Sequence, residues 1–115
     1  IHPTSVTSDR IGRACREQWV ALAQNKFASN VIEKLLRIAT FETRNAILQS
    51  TVFEKTGLEA IMGDGFGNFV LQALIETCTD VNEFRDIAER VRALLPNCPY
   101  GHKIEAKLKS KRFLA

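Results

Sequence analysis

The chain has 115 residues, 45% of them hydrophobic and 25% charged, with a formal net charge of +3. That balance excludes a disordered or low-complexity chain, provides material for one packed domain, and permits nucleic-acid binding without requiring it. No apolar run approaches the roughly 18 residues that a membrane span needs, so a soluble globular protein with no membrane partner is expected.

Residues 1–17 match no pattern found elsewhere in the chain and are left as an unassigned leader or a remnant of a preceding unit. The first nine lack the basic start and apolar centre of a signal peptide, so secretion is not expected and a cytoplasmic protein is, and the start at Ile1 implies an excised piece. Cys15, Cys78 and Cys98 are odd in number and show no CxxC spacing, while His2 and His102 lie far apart. Reduced thiols are therefore expected, with no zinc and no cofactor.

From residue 26 onward the chain repeats itself. KFASNVIEKLL over 26–36, GFGNFVLQALI over 65–75 and PYGHKIEAKL over 99–108 align without a gap. The offset from Ser29 to Asn68 is 39 residues and that from Asn68 to His102 is 34, a spacing at which repeats mean stacked supersecondary units. Each segment reads as a helix. Val31, Ile32, Leu35 and Leu36 form one apolar stripe, and Val70, Leu71, Leu74 and Ile75 form its counterpart. Further amphipathic stretches at 44–52, 58–62 and 84–95 are separated by Thr40, Gly57, 63–65 and 96–99 as caps or breakers. An all-α solenoid is predicted, with units at 18–55 and 56–95 and a capping half-unit at 96–115. Phe27, Phe66 and Tyr100 are expected in core or inter-unit packing.

The polar residues beside the stripes recur in one register. Ser29 and Glu33 stand one turn apart on the same side of a helix, with Asn30 rotated by about 100°; Asn68, Gln72 and Phe69 repeat that arrangement. Phe69 lies off the stripe of Val70, Leu71 and Leu74 and is expected to be exposed. Two edge-bonding side chains with a flat group beside them are what recognition of an unstacked base requires. A carboxylate such as Glu33 accepts both Watson–Crick donors of guanine, N1–H and the N2 amine. The amides of Asn68 and Gln72 match the mixed acceptors and donor of uracil. In the third segment the same register holds His102, Lys103 and Ala106, and Ala106 offers nothing to a base edge. The C-terminal cluster of Lys103, Lys107, Lys109, Lys111 and Arg112 reads equally as a solvated face or as phosphate contacts.

The segment NKFASNVIEK over 25–34 resembles the next-to-last repeat of the PUF (Pumilio-type) family, GNFVLQ over 67–72 resembles the last, and 99–108 resembles the half-repeat that caps such domains. The similarity runs over about 18–112. It implies a right-handed α-solenoid in which Ser29 and Glu33 read guanine flanked by Asn30, and Asn68 and Gln72 read uracil with Phe69 stacking. The family runs antiparallel to its RNA, so these repeats would hold the UG that opens a UGU-type element in a messenger RNA 3′ untranslated region. Post-transcriptional regulation with further regulatory proteins is the implied biology. Phe69 departs from the family's frequent Tyr, and a full array carries more repeats than this chain. Self-association through an uncovered N-terminal end is therefore expected. A protein-binding solenoid is the competing reading. An enzyme is not expected, because no nucleophile–base motif, metal cluster or complete phosphate loop is present; 63–67 reads as a turn.

Overall fold

The computed structural model describes residues 18–111, which are helical throughout apart from short connections. A helical segment at 18–23 (α1) precedes α2 (Lys26–Ile38) and α3 (Phe41–Thr51). Then follow α4 (Lys55–Met62), α5 (Gly67–Glu76), α6 (Val81–Leu94), a 3-10 turn (Leu95–Asn97) and α7 (Gly101–Ser110). No strand occurs among the described residues.

Local chemistry starts most of these helices. The Asn25 side chain accepts from the backbone N–H groups of Phe27 and Ala28, Thr40 accepts from Thr43, and Asp80 accepts from Asn82 and Glu83. Each such cap satisfies donors that the helix itself leaves open and contributes about 1 kcal/mol. Asp64 does the same for α5, with its carboxylate taking the N–H groups of Phe66 and Gly67 at 2.8 Å each. Gly57, expected as a breaker, lies inside α4. A Cβ there would stand 2.6 Å from the Ser50 carbonyl oxygen, so the glycine lets α4 close onto the end of α3. Gly67 performs the equivalent service between α5 and α4, where a Cβ would meet the Ile61 Cα at 2.8 Å.

Helix α5 lies between α2 and α7 and also packs on α4, while α3 packs on α4. The two aligned stripes therefore fare differently. Val70, Leu71, Leu74 and Ile75 are all fully buried, because α5 has neighbours on every apolar side. Of the α2 stripe only Ile32 and Leu36 are buried, Leu35 is half-buried and Val31 is 64% exposed. Phe27 is exposed as well, contrary to the expectation that it is packed, and so are Ile38 and Phe41. The described chain covers α2 on one side alone. Phe66 is also exposed, whereas Tyr100 packs against the core.

A polar latch joins α3 to the end of α5 and to α6. Arg44 of α3 donates through Nη2 to the Leu74 carbonyl at 2.7 Å and through Nε to Thr77 Oγ1 at 3.5 Å, and it pairs with Glu83 of α6. The Cys78 thiol donates to the same Glu83 carboxylate at 3.2 Å. Burial, reinforced by that hydrogen bond, pushes the thiol above its ordinary range, so Cys78 is a packed thiol and not a reactive one.

Candidate nucleic-acid interface

The row α2–α5–α7 places the three aligned segments side by side, and the register read from the sequence becomes a set of neighbouring positions. On α2, Asn30 is exposed and Glu33 is half-buried. Among the described residues the Glu33 carboxylate has neither a hydrogen bond nor an ion pair, which leaves two acceptor oxygens available to a ligand. Ser29 is 3% exposed, and its hydroxyl donates to the Lys26 carbonyl at 3.2 Å. Asn30 Nδ2 donates to the same carbonyl at 3.0 Å, which holds that side chain along its own helix.

On α5, Phe69 stands off the buried stripe and is 42% exposed. The Lys103 ammonium of α7 lies 6.0 Å from its ring centroid, within cation–π range. Gln72 is half-buried. Asn68, expected to share the exposed edge with Gln72, is 0% exposed. Its Nδ2 donates to the Asp64 carbonyl at 2.7 Å and its Oδ1 accepts from Gln72 Nε2 at 3.0 Å. On α7, His102, Lys103 and Ala106 are exposed, and no base-bonding pair forms there.

One turn beyond the two triplets, Arg37 Nη2 of α2 meets Glu76 Oε2 of α5 at 3.2 Å, and Lys107 of α7 approaches the other carboxylate oxygen at 3.6 Å. Lys111 donates to the Glu76 carbonyl at 2.7 Å. These contacts tie the C-terminal ends of three adjacent helices. The Arg37 hydrogen bond holds the Glu76 carboxyl below its ordinary range against the opposing effect of partial burial, with Lys107 adding to it. Several of the C-terminal cations are therefore bound to the protein itself. Arg112, Cys15 and His2 lie outside the described residues. Among the described residues, no group of His, Cys, Asp and Glu side chains converges in a way that could hold a metal ion, and no helix is long and apolar enough to cross a membrane.

Two contributors escaped the sequence reading. Asp64 reads in the sequence as part of the turn over 63–67, although it stands 39 residues after Asn25, the same offset that relates Ser29 to Asn68. Lys103 is in register by sequence, but its contact with Phe69 depends on how α7 leans on α5.

The family model for the Pumilio-family RNA binding repeat matches residues 18–50 and 60–89. A Pumilio domain-containing protein of Schizosaccharomyces pombe is 31% identical over 94 residues, covering 79% of this chain and 14% of the relative. Pumilio homology domain family member 4 of Saccharomyces cerevisiae is 31% identical over 91 residues, covering 74% and 10% respectively. Pumilio homolog 12 of Arabidopsis thaliana is 29% identical over 97 residues, covering 82% and 16%. The chain thus spans a small part of each of these relatives. No solved structure matches it.

Proposed function

The chain belongs to the Pumilio family of RNA-binding repeat proteins, and on that premise we propose that it is a non-catalytic module binding single-stranded RNA by base identity, one base on α2 and one on α5. Ser29, Asn30 and Glu33 form the contact set for guanine, and Asn68, Phe69 and Gln72 form that for uracil. The family's antiparallel alignment makes the sequence read 5′-UG, the opening of a UGU-type element. Its place would be in a messenger RNA 3′ untranslated region, with post-transcriptional control in the cytoplasm as the outcome. The repeat units of this reading are 18–55 and 56–95, followed by the cap at 96–115.

The observation that carries the reading is the pairing of chemistry with position. Two neighbouring helices of one row present, at equivalent sites, an acceptor-only carboxylate without a described partner and an amide beside an exposed aromatic ring. Guanine and uracil are the bases whose edges match those groups, and stacking on an aromatic ring is worth about 1–3 kcal/mol per base. The competing reading, a protein-binding solenoid, draws on the exposed Phe27, Val31, Ile38 and Phe41. Fluorescence titration with UGUA-containing and scrambled RNA decides between them. A preference for UGUA supports base reading, and equal or absent binding overturns it.

A further inference from the structure

The lysines of the C-terminal segment, alike by sequence, are sorted by the fold. Lys107 approaches Glu76 Oε1 at 3.6 Å, Lys109 pairs with Glu105 Oε1 at 2.8 Å, and Lys111 donates to the Glu76 carbonyl at 2.7 Å. Each of these cations is held by the protein itself. Lys103 differs. It is exposed, and among the described residues its ammonium meets neither a carboxylate nor a carbonyl; it stands over the Phe69 ring, 6.0 Å from the centroid.

The position of that cation gives it a meaning. Asn30, Phe69 and Lys103 are related by the same offsets of 39 and 34 residues as Ser29, Asn68 and His102, so they occupy one register along the row α2–α5–α7. The edge-bonding register carries Glu33 on α2 and Gln72 on α5, but Ala106 on α7. Helix α7 thus presents a positive charge at the flank of the row and only a methyl group where its neighbours present acceptors. A cation with no edge-bonding companion is suited to the phosphates of a strand, which are the same whatever the base.

We infer that Lys103 is a phosphate-binding residue that takes the phosphodiester on the 5′ side of the uracil held at α5, so that α7 anchors the RNA backbone without reading a base. The inference rests on the proposed placement of 5′-UG. With guanine on α2 and uracil on α5, the strand runs 5′-ward from the uracil in the direction of α7. The first anionic group on that path is the phosphate joining the uracil to the preceding nucleotide. The Lys103 ammonium stands beside the ring on which that uracil stacks, and a phosphate is a stronger partner for it than the face of an exposed ring. A recognition element inside a longer strand supplies this phosphate. An RNA that begins at the uracil with a free 5′-hydroxyl does not.

Titration of the full chain with three kinds of UGUA-containing RNA tests the assignment. The first begins at the uracil with a 5′-hydroxyl, the second carries one preceding nucleotide of each of the four identities, and the third replaces the linkage before the uracil by an uncharged methylphosphonate. Wild type should bind the extended RNA about fivefold more tightly than the 5′-hydroxyl RNA, equally for all four nucleotides, and the methylphosphonate should remove that gain. In Lys103→Met the gain should be absent, the methylphosphonate without effect, and the slope of log affinity against log salt shallower by about 0.7. Lys103→Arg should keep the gain, as should Lys109→Met, which removes an equal charge that Glu105 already pairs. Preference for UGUA over scrambled RNA and melting temperature should be unchanged in all three variants. No gain in wild type, or a methylphosphonate penalty of equal size in wild type and Lys103→Met, overturns the part given to Lys103. A preference among the four preceding nucleotides that Lys103→Met abolishes overturns the claim that α7 reads no base. Absence of a UGUA preference in wild type instead overturns the base-reading proposal, and this one with it.

Discussion

Replacing Glu33 by Gln isolates one recognition group from the fold. The carboxylate has no described hydrogen bond or ion pair, so its loss should change stability by no more than about 0.5 kcal/mol, the usual range for a substitution away from structural contacts. Its effect on binding should be much larger. Two carboxylate oxygens accept guanine N1–H and the N2 amine together, whereas an amide offers one oxygen and turns an N–H₂ group towards the second donor. A hydrogen bond to a charged group is worth about 1.5–3 kcal/mol, which is roughly a 10- to 150-fold loss of guanine affinity at 1.4 kcal/mol per tenfold. Adenine, with an acceptor N1 beside a donor N6, matches the new amide, so the guanine-to-adenine ratio should fall further than guanine affinity alone. Equilibrium titration with UG and UA RNAs measures the ratio, and thermal melting measures the fold. An unchanged ratio would remove Glu33 from the reading set, and a large drop in melting temperature would show that the carboxylate holds structure instead.

Phe69→Ala should weaken RNA binding by about 1–3 kcal/mol through lost stacking, with a smaller stability loss than the 3–5 kcal/mol of a fully buried Phe; parallel titration and denaturant melts compare the two. Arg44→Met strands the Leu74 carbonyl and leaves Glu83 without its cation, so urea unfolding should show a loss of about 2–4 kcal/mol. Glu76→Gln should cost less than about 1 kcal/mol, since the ion pairs are well exposed and screened. The wild-type carboxyl is depressed in the fold, so its contribution is present above its unfolded value of 4.5 and fades as pH falls through the lower folded value; the variant should lack that acid-side decline in melting temperature. The uncovered stripe of Phe27, Val31 and Ile38, 76%, 64% and 82% exposed, predicts a mass by light scattering that rises with concentration and falls back to monomer in Val31→Lys. A monomer at every concentration refutes it.

How much of this was legible in the residues follows from the range of the forces involved. Thr40 announces its helix because a cap bonds to an N–H group three residues away, and the 39-residue offset is visible because equivalent positions on stacked units face equivalent surroundings. The register of Glu33 with Gln72, and the displacement of Phe69 from the stripe, need only the 3.6-residue turn. What the sequence could not determine depends on neighbours brought from afar. Val31 and Val70 occupy the same place in the pattern, yet one is 64% exposed and the other buried, because among the described residues α5 is covered on both sides by α2 and α7 while α2 is covered on one. Gly57 reads as a breaker by sequence, but inside α4 it makes room for the Ser50 carbonyl, and Arg44 finds its partners 30 to 39 residues along the chain. Asn68 shows the same limit at the candidate site: polarity and spacing put it in register with Gln72, but its burial comes from the helices packed around α5, and a buried amide is stable only when both its ends are hydrogen-bonded, here by the Asp64 carbonyl and Gln72.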